Sequence, residues 1–430
     1  MDVRSAREIG AVIRGARCYL RLTQAEVGRA CGYSASSVSR IESGHMHLGY
    51  VELVKIAAFL DLTLDRLGIS PVPGMPPVDT VERPADEEDA VRRRNLLTGA
   101  LAAGATAVVG STPAGAASPL LEQALFRLPD ALPVPLKRLI HQTAKARADF
   151  RAARYSSLGQ VLPGLLAAAS ATRDTSTGHQ RDQVNAVLSR AYVLAAELAL
   201  KQHNDVAWVA ADRALTAARE SGHPVPVGES ARVLAITMRR SGQCSAAVRF
   251  LTQEATGLDA GQAQTGAVRT TLMLTASYTA ATGGDRTTAL DLLDEAAEET
   301  KRRRAVTGLF TVEATQNQVD GYRISVFNVL GTPDEGVPVA SQLAIDRLPS
   351  PERRARTWTD TARMWHALGN GPQTLAALRR VEQEAPQEAQ RPAIRALTSE
   401  LLYTSPRVPG IREFAARTGA TSAAPSGLLS

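Results

Sequence analysis

The chain has 430 residues, with 49 Lys/Arg against 43 Asp/Glu, a formal net charge of +6 and a pI near 9.4. That length exceeds what one hydrophobic core fills, so two or more domains are expected. Three widely separated cysteines (Cys18, Cys31, Cys244) argue against a disulfide framework and a structural zinc site, and few aromatics with abundant Ala and Arg predict an all-α chain packed through small residues.

The basic balance suits a polyanionic partner only weakly, because the excess is spread along the chain; residues 1–70 hold nine Lys/Arg and seven Asp/Glu. Ile9, Val12, Ile13, Ala16 and Leu20 recur at helical spacing and predict a first helix over 5–19. Thr23 and Glu26 form the S/T-x-x-E capping box, so a second helix opens at Gln24 and buries Ala25, Val27 and Ala30 before Gly32 ends it. Ser34 then caps a third helix to about Ser43, with Val38 and Ile41 inward and Gly44 as its stop. Leu53, Ile56, Ala57 and Leu60 mark a fourth helix, and Leu62, Leu64 and Leu67 a short last one ending at Gly68. Two short helices joined at a glycine turn, the second exposing Ala35, Ser36, Ser39 and Arg40, are the helix-turn-helix arrangement, and five helices make residues 1–70 a self-sufficient bundle.

Arg40 has the fork that donates two hydrogen bonds to guanine O6 and N7. Ser34, Ser36, Ser37 and Ser39 are short donors suited to phosphates or to either base type, and Ala35 offers a methyl to thymine. One long reader among short residues gives modest specificity per half-site, which such proteins raise by dimerising over half-sites roughly 34–36 Å apart. Read as ordinary chemistry, the same serines are helix-capping and solvated groups, and Arg40 an exposed cation beside an acid.

The segments IGAVIRGAR, LTQAEVGRACGYSASSVSRIESG and LVKIAAFLDLTLDRL resemble the lambda-repressor-like (Xre-type) helix-turn-helix family over Ile9 to Leu67. Members are DNA-binding domains of bacterial and phage regulators, so the resemblance implies a double-stranded DNA operator as partner. It places Gln24 against the DNA backbone and Ala35, Ser36 and Arg40 at the bases, and it makes Arg17 and Glu42 a structural pair. His45 and His47 stand where the family often carries a basic residue facing phosphate; neutral histidine weakens that contact, and with no third ligand nearby the pair makes no metal site.

Residues 71–119 read as a linker. Pro71 to Pro84 is proline-rich and Asp86 to Asp89 acidic, which makes an extended, solvated tether. Arg92 to Ser118 resembles a twin-arginine export signal, with paired arginines, an apolar run over 96–109 and then AGA. The run is too short and too rich in Ala and Gly to span a bilayer, and it follows a DNA-reading domain, so it is read as a small-residue helix or mobile segment with no membrane partner.

From residue 120 to 418 the chain reads as helix after helix, in hairpins that turn at His203–Asn204, Gly242, Gly283–Gly284, Gly331–Thr332 and Gly369–Gly371, followed by a flexible tail over 419–430. SAAVRFL, TTALDLL and QTLAALRRV repeat one pattern and are similar to tetratricopeptide repeats, which gives an α-solenoid. The whole design, with RYSSLGQVLPGLLAAA, AWVAADRALTAARESG, LPSPERRARTWTDTARMWHALG and EQEAPQEAQRPAIRALTSELL, resembles actinobacterial regulators that join this helix-turn-helix to a divergent tetratricopeptide-like region. Asn317, Gln318, Tyr322, Arg323 and Asn328 on one predicted helix are candidate groove residues for a peptide, small molecule or protein partner, and ordinary surface polarity is the competing reading. The cluster Lys301 to Arg304 suits a helix C-terminus. No GxSxG, HExxH, phosphate loop or paired CxxC occurs, so no catalytic residue, cofactor or metal is assigned and an enzyme is not expected. The expectation is a cytoplasmic, homodimeric, DNA-binding transcriptional regulator whose repeats dimerise, sense a ligand or both; the alternative is a protein-interaction scaffold that docks through its helix-turn-helix.

Overall fold

The computed structural model describes residues 6–63 and 67, apart from 21, 34, 45, 47 and 49, and residues 119–420, apart from 303–305, 307–308 and 311–312. Among these are 20 α-helices and no strand; an isolated antiparallel bridge joins Val306 to Ala314. The fold is all-α, as the composition predicts. No helix among the described residues is long and apolar enough to cross a membrane. Ser34, His45, His47 and the segment 92–118 lie outside the described residues.

The N-terminal unit contains α1 (Ala6–Tyr19), α2 (Gln24–Cys31), α3 (Ala35–Glu42) and α4 (Tyr50–Phe59). Ile13, Val27, Val38, Ile41, Ile56, Leu60 and Leu67 form one core, none more than 2% exposed. The expected last helix lies largely outside the described residues, although Leu67 reaches that core. The capping box is reciprocal: Glu26 N–H donates to Thr23 Oγ1 at 3.2 Å and Thr23 N–H donates to Glu26 Oε2 at 2.6 Å, which satisfies two otherwise orphaned donors of α2. Gly32 closes α2 at φ 82°, its N–H on the Gly28 carbonyl.

Two inward assignments in α2 are corrected. Ala25 and Ala30 are exposed, and the helix packs through Val27 and Gly28, with Gln24 and Cys31 half-buried. Those four positions are the i, i+3, i+4, i+7 stripe of a two-turn helix. Helices α1 and α3 approach so closely at Gly10 that a Cβ there would sit 2.3 Å from the Ile41 carbonyl oxygen.

The C-terminal unit is a stack of helical hairpins. It opens with α5 (Pro119–Phe126), α6 (Leu136–Arg151) and α7 (Tyr155–Thr175). The hairpins α8 (Gly178–Lys201) with α9 (Ala207–Glu220), α10 (Pro224–Arg240) with α11 (Cys244–Thr256) and α12 (Ala263–Thr282) with α13 (Arg286–Arg302) follow. Then come α14 (Gln316–Val329) with α15 (Pro333–Gln342), α16 (Pro351–Ala367) with α17 (Gly371–Glu384), and the closing α18 (Pro386–Ala389), α19 (Pro392–Thr404) and α20 (Ile411–Thr418). Each of the five expected turns places one residue in the left-handed region: His203, Gly242, Gly284, Gly331 and Gly369. Alanine explains how tightly the pairs pack: Ala191, Ala195, Ala196 and Ala199 on α8 and Ala210, Ala211, Ala214 and Ala218 on α9 are all buried, and small side chains let helix axes come close.

The stack curls until its start meets its end. Lys201, at the end of α8, donates to Glu388 at 2.6 Å and pairs with Glu352 on α16, while Arg391 Nε donates back to the Lys201 carbonyl at 3.0 Å. The Tyr155 hydroxyl donates to Glu388, and Arg151 reaches Glu313 at 3.1 Å. The first helices of successive hairpins, α8, α10, α12, α14 and α16, thereby surround a common hollow.

Candidate nucleic-acid interface

Helix α3 is held at its end by a buried brace. The Arg17 guanidinium on α1 donates to both Glu42 oxygens, at 2.5 and 2.9 Å, and to the Leu22 carbonyl at 2.9 Å; Gln24 Nε2 donates to Glu42 at 2.8 Å. The Glu42 side chain is only 3% exposed. Burial pushes its carboxyl upward, but the bonds from Arg17 and Gln24 prevail and hold it below the ordinary carboxylate value. The brace ties α1, the start of α2 and the end of α3 into one rigid unit, so Arg17 and Glu42 stand together as the resemblance implies. Gln24 belongs to the same network.

The other candidate contacts divide sharply. Ala35 and Ser36 form the first turn of α3, and Ser39 is exposed. Ser37, by contrast, is fully buried, because its hydroxyl donates to the Gly331 carbonyl at 2.7 Å. One turn further along, Arg40 pairs with Asp334. Gly331 and Asp334 flank the turn from α14 to α15, so one face of α3 is seated on the repeat unit. The fit is close: a Cβ on Gly331, at φ 71°, would meet Ser37 Oγ at 3.0 Å and the Tyr33 ring at 3.4 Å. Nothing local in α3 announces this contact, which joins residues 294 positions apart.

The helix-turn-helix family model matches residues 13–67. Residues 13–67 are a helix-turn-helix domain. This is a DNA-binding domain of regulators of the Xre type, and it accounts for α2 and α3 as an obligate pair. The match covers a small part of the chain and leaves the helical hairpins outside it. No curated protein and no solved structure was found to match.

The hollow of the hairpin stack is a second candidate site. It is a cavity of about 500 Å³, within the size range of small-molecule pockets. Of the groove residues expected from sequence, Gln318 and Tyr322 line it, joined by Gly321 and Ser325 of the same helix. Asn317 and Arg323 do not line it; Arg323 turns away to pair with Asp294 at 3.0 Å, and Asn328 donates to the Asp360 carbonyl at 2.7 Å. Sequence reasoning missed the wall's dominant feature, which is eight cationic side chains: Lys201, Arg232, Arg239, Arg240, Arg353, Arg356, Arg363 and Arg391. Their signal was present as spacing, since Arg353, Arg356, Asp360 and Arg363 recur at helical period, as do Arg232, Ile236 and Arg239. Among the described residues no cluster of His, Cys, Asp and Glu is arranged to hold a metal ion.

Proposed function

We propose that the protein is a sequence-specific DNA-binding transcriptional regulator whose tetratricopeptide-like helical repeats control access to its reading helix. The observation that carries this reading is the double use of α3: the face that bears Arg40 is the one the repeats hold through Gly331 and Asp334. The described arrangement then corresponds to a head withheld from DNA, and a second arrangement with Arg40 free is the binding-competent one. Helix α14 supports a link to a sensed ligand, because it forms cavity wall through Gln318, Tyr322 and Ser325 and runs directly into the turn that receives Ser37. Homodimerisation supplies the second head that one long base reader requires, and a cytoplasmic setting goes with a DNA target.

The contact residues have opposite expected effects. Arg40→Ala removes a bidentate donor and weakens operator binding by about 1–3 kcal/mol, relaxing preference at one base position. Asp334→Ala removes the competitor for Arg40. The ion pair is partly exposed, with 52% of the Asp334 side chain accessible, so the gain is bounded by the roughly 0.2–1 kcal/mol of such pairs, at most about fivefold in affinity. Operator fragments recovered by genome-wide immunoprecipitation and titrated with each variant check both signs; unchanged binding by Arg40→Ala removes the assignment. A scaffold that uses the domain for docking would show no steep loss of DNA affinity between about 50 and 200 mM salt, which counterion release demands of a DNA binder.

A further inference from the structure

The cavity wall holds more positive charge than its own carboxylates neutralise. Glu197, Glu352 and Asp360 are the acids that line it, facing the eight cations. Six of the cations have carboxylate partners. Arg232 pairs with Glu197, Arg353 with Glu352, Arg356 and Arg363 with Asp360, and Lys201 and Arg391 with the adjacent Glu388. Arg239 and Arg240 form no ion pair with a carboxylate among the described residues, although Asp205 acts on Arg240 from beyond contact distance. Arg239 lies over the Tyr278 ring at 4.6 Å and donates to Thr279 Oγ1 at 3.1 Å, while Arg240 donates to the Leu200 carbonyl at 3.1 Å and sits beside His203.

Polar capacity is also unused on the wall. Arg232 is 5% exposed in its side chain, yet its Nε has no hydrogen-bond partner, and neither has Gln318 Oε1. A buried guanidinium N–H without an acceptor is costly, and Arg239 has no carboxylate to balance its charge.

The titration directions agree with an uncompensated positive field. Burial alone raises the Tyr322 phenol, but Arg232 and Arg353 outweigh it and bring the group below its ordinary value. The His203 imidazole is lowered first by burial and then by Arg240, Arg391 and Arg363. Enclosure lowers the Arg239 guanidinium, with Tyr278 and Tyr322 opposing.

We infer that the cavity is the binding site of a small organic anion carrying two or more carboxylate or phosphate groups, held by Arg239 and Arg240 with Arg232 and Gln318 completing its hydrogen bonds. Guanidinium forks suit both oxyanions bidentately, the Tyr278 and Tyr322 rings supply flat apolar wall, and the volume fits a metabolite rather than a folded partner. The inference names the ligand class for the sensing role proposed above, and its test uses no DNA, so it stands or fails separately from operator binding.

Isothermal titration of the full chain at fixed ionic strength with citrate and with pyrophosphate decides it and separates a carboxylate site from a phosphate site. Saturable, one-to-one binding of at least one probe is expected. Arg239→Gln and Arg240→Gln each weaken it about tenfold or more, the loss of a charge-assisted hydrogen bond, whereas Arg249→Gln, an exposed charge removed on α11, leaves it unchanged. Arg240 is exposed at the rim, so its variant keeps the test alive if Arg239→Gln fails to fold. No saturable binding of either probe, or equal weakening by Arg249→Gln, overturns the proposal.

Discussion

A single added methyl group at residue 10 destabilises the N-terminal unit by about 2 kcal/mol. In Gly10→Ala the new Cβ meets the Ile41 carbonyl oxygen at 2.3 Å and the Glu42 carbonyl oxygen and carbon at 2.7 and 2.9 Å. All three atoms are backbone, so no side-chain rotation relieves them, and α1 must move away from α3. Two effects oppose each other. Alanine improves the helix propensity of α1 by about 1 kcal/mol, while overpacking of a closed interface costs about 1–3 kcal/mol and more where nothing yields. The clash prevails, because moving α1 also lengthens the Arg17–Glu42 brace and uncovers Ile13. A net loss of about 2 kcal/mol is a large share of the stability of a small domain and lowers its melting temperature by about 8–16 °C. Gly15→Ala is the control: a Cβ there meets nothing within 4 Å, so the same propensity gain goes unopposed and the domain is stabilised. Scanning calorimetry of the full chain resolves the two variants as shifts of opposite sign in the transition of the N-terminal unit.

Lys201→Met produces the largest change in the repeat unit. Lys201 lies between Glu352 and Glu388, whose side chains are 2% and 0% exposed, and it closes the curl of the stack. Burial raises both carboxyls, but Arg353 and Lys201 hold Glu352 below its ordinary value, and Arg391 and Lys201 do the same for Glu388. Removing the shared cation leaves two acids facing each other with half their compensation, which for a broken buried pair costs about 3–5 kcal/mol. The sign of the pH dependence follows. Carboxyls with lowered folded values contribute stability that is present above the ordinary carboxylate range and lost as pH falls through the lowered values. The deficit of Lys201→Met relative to the parent is therefore greatest near neutral pH and shrinks as pH falls through the ordinary carboxylate range, because the variant protonates these groups there while the parent, with Glu388 held down to about 2, keeps them charged. Denaturant midpoints measured from pH 7 to pH 3 check it; a deficit that grows in acid contradicts the assignment.

Local chemistry made the N-terminal unit legible. The Thr23–Glu26 box, Gly32 and the periodic Val38 and Ile41 each act within a few residues, so their outcome is written in the neighbouring sequence. Ala25 and Ala30 were misassigned because an eight-residue helix offers too few positions to fix the phase of its buried face. The hairpin turns were visible for the same local reason, at the residues that take positive φ. What escaped was long-range. Ser37 and Arg40 look like free donors on α3 until Gly331 and Asp334 are brought to them. The arginines of the cavity belong to separate helices, and only the closure at Lys201 makes them one wall. Arg323 illustrates the converse, since its helix is correct but its side chain points away from the hollow toward Asp294.

In the proposed function α3 reads DNA through Arg40. Selection of bound sequences from a randomised double-stranded pool, run in parallel with the full chain and with Arg40→Ala, tests it most directly. An enriched motif with two half-sites is expected, each holding a guanine whose preference disappears in Arg40→Ala while the remaining positions persist. Recovery of the same guanine preference by Arg40→Ala contradicts it.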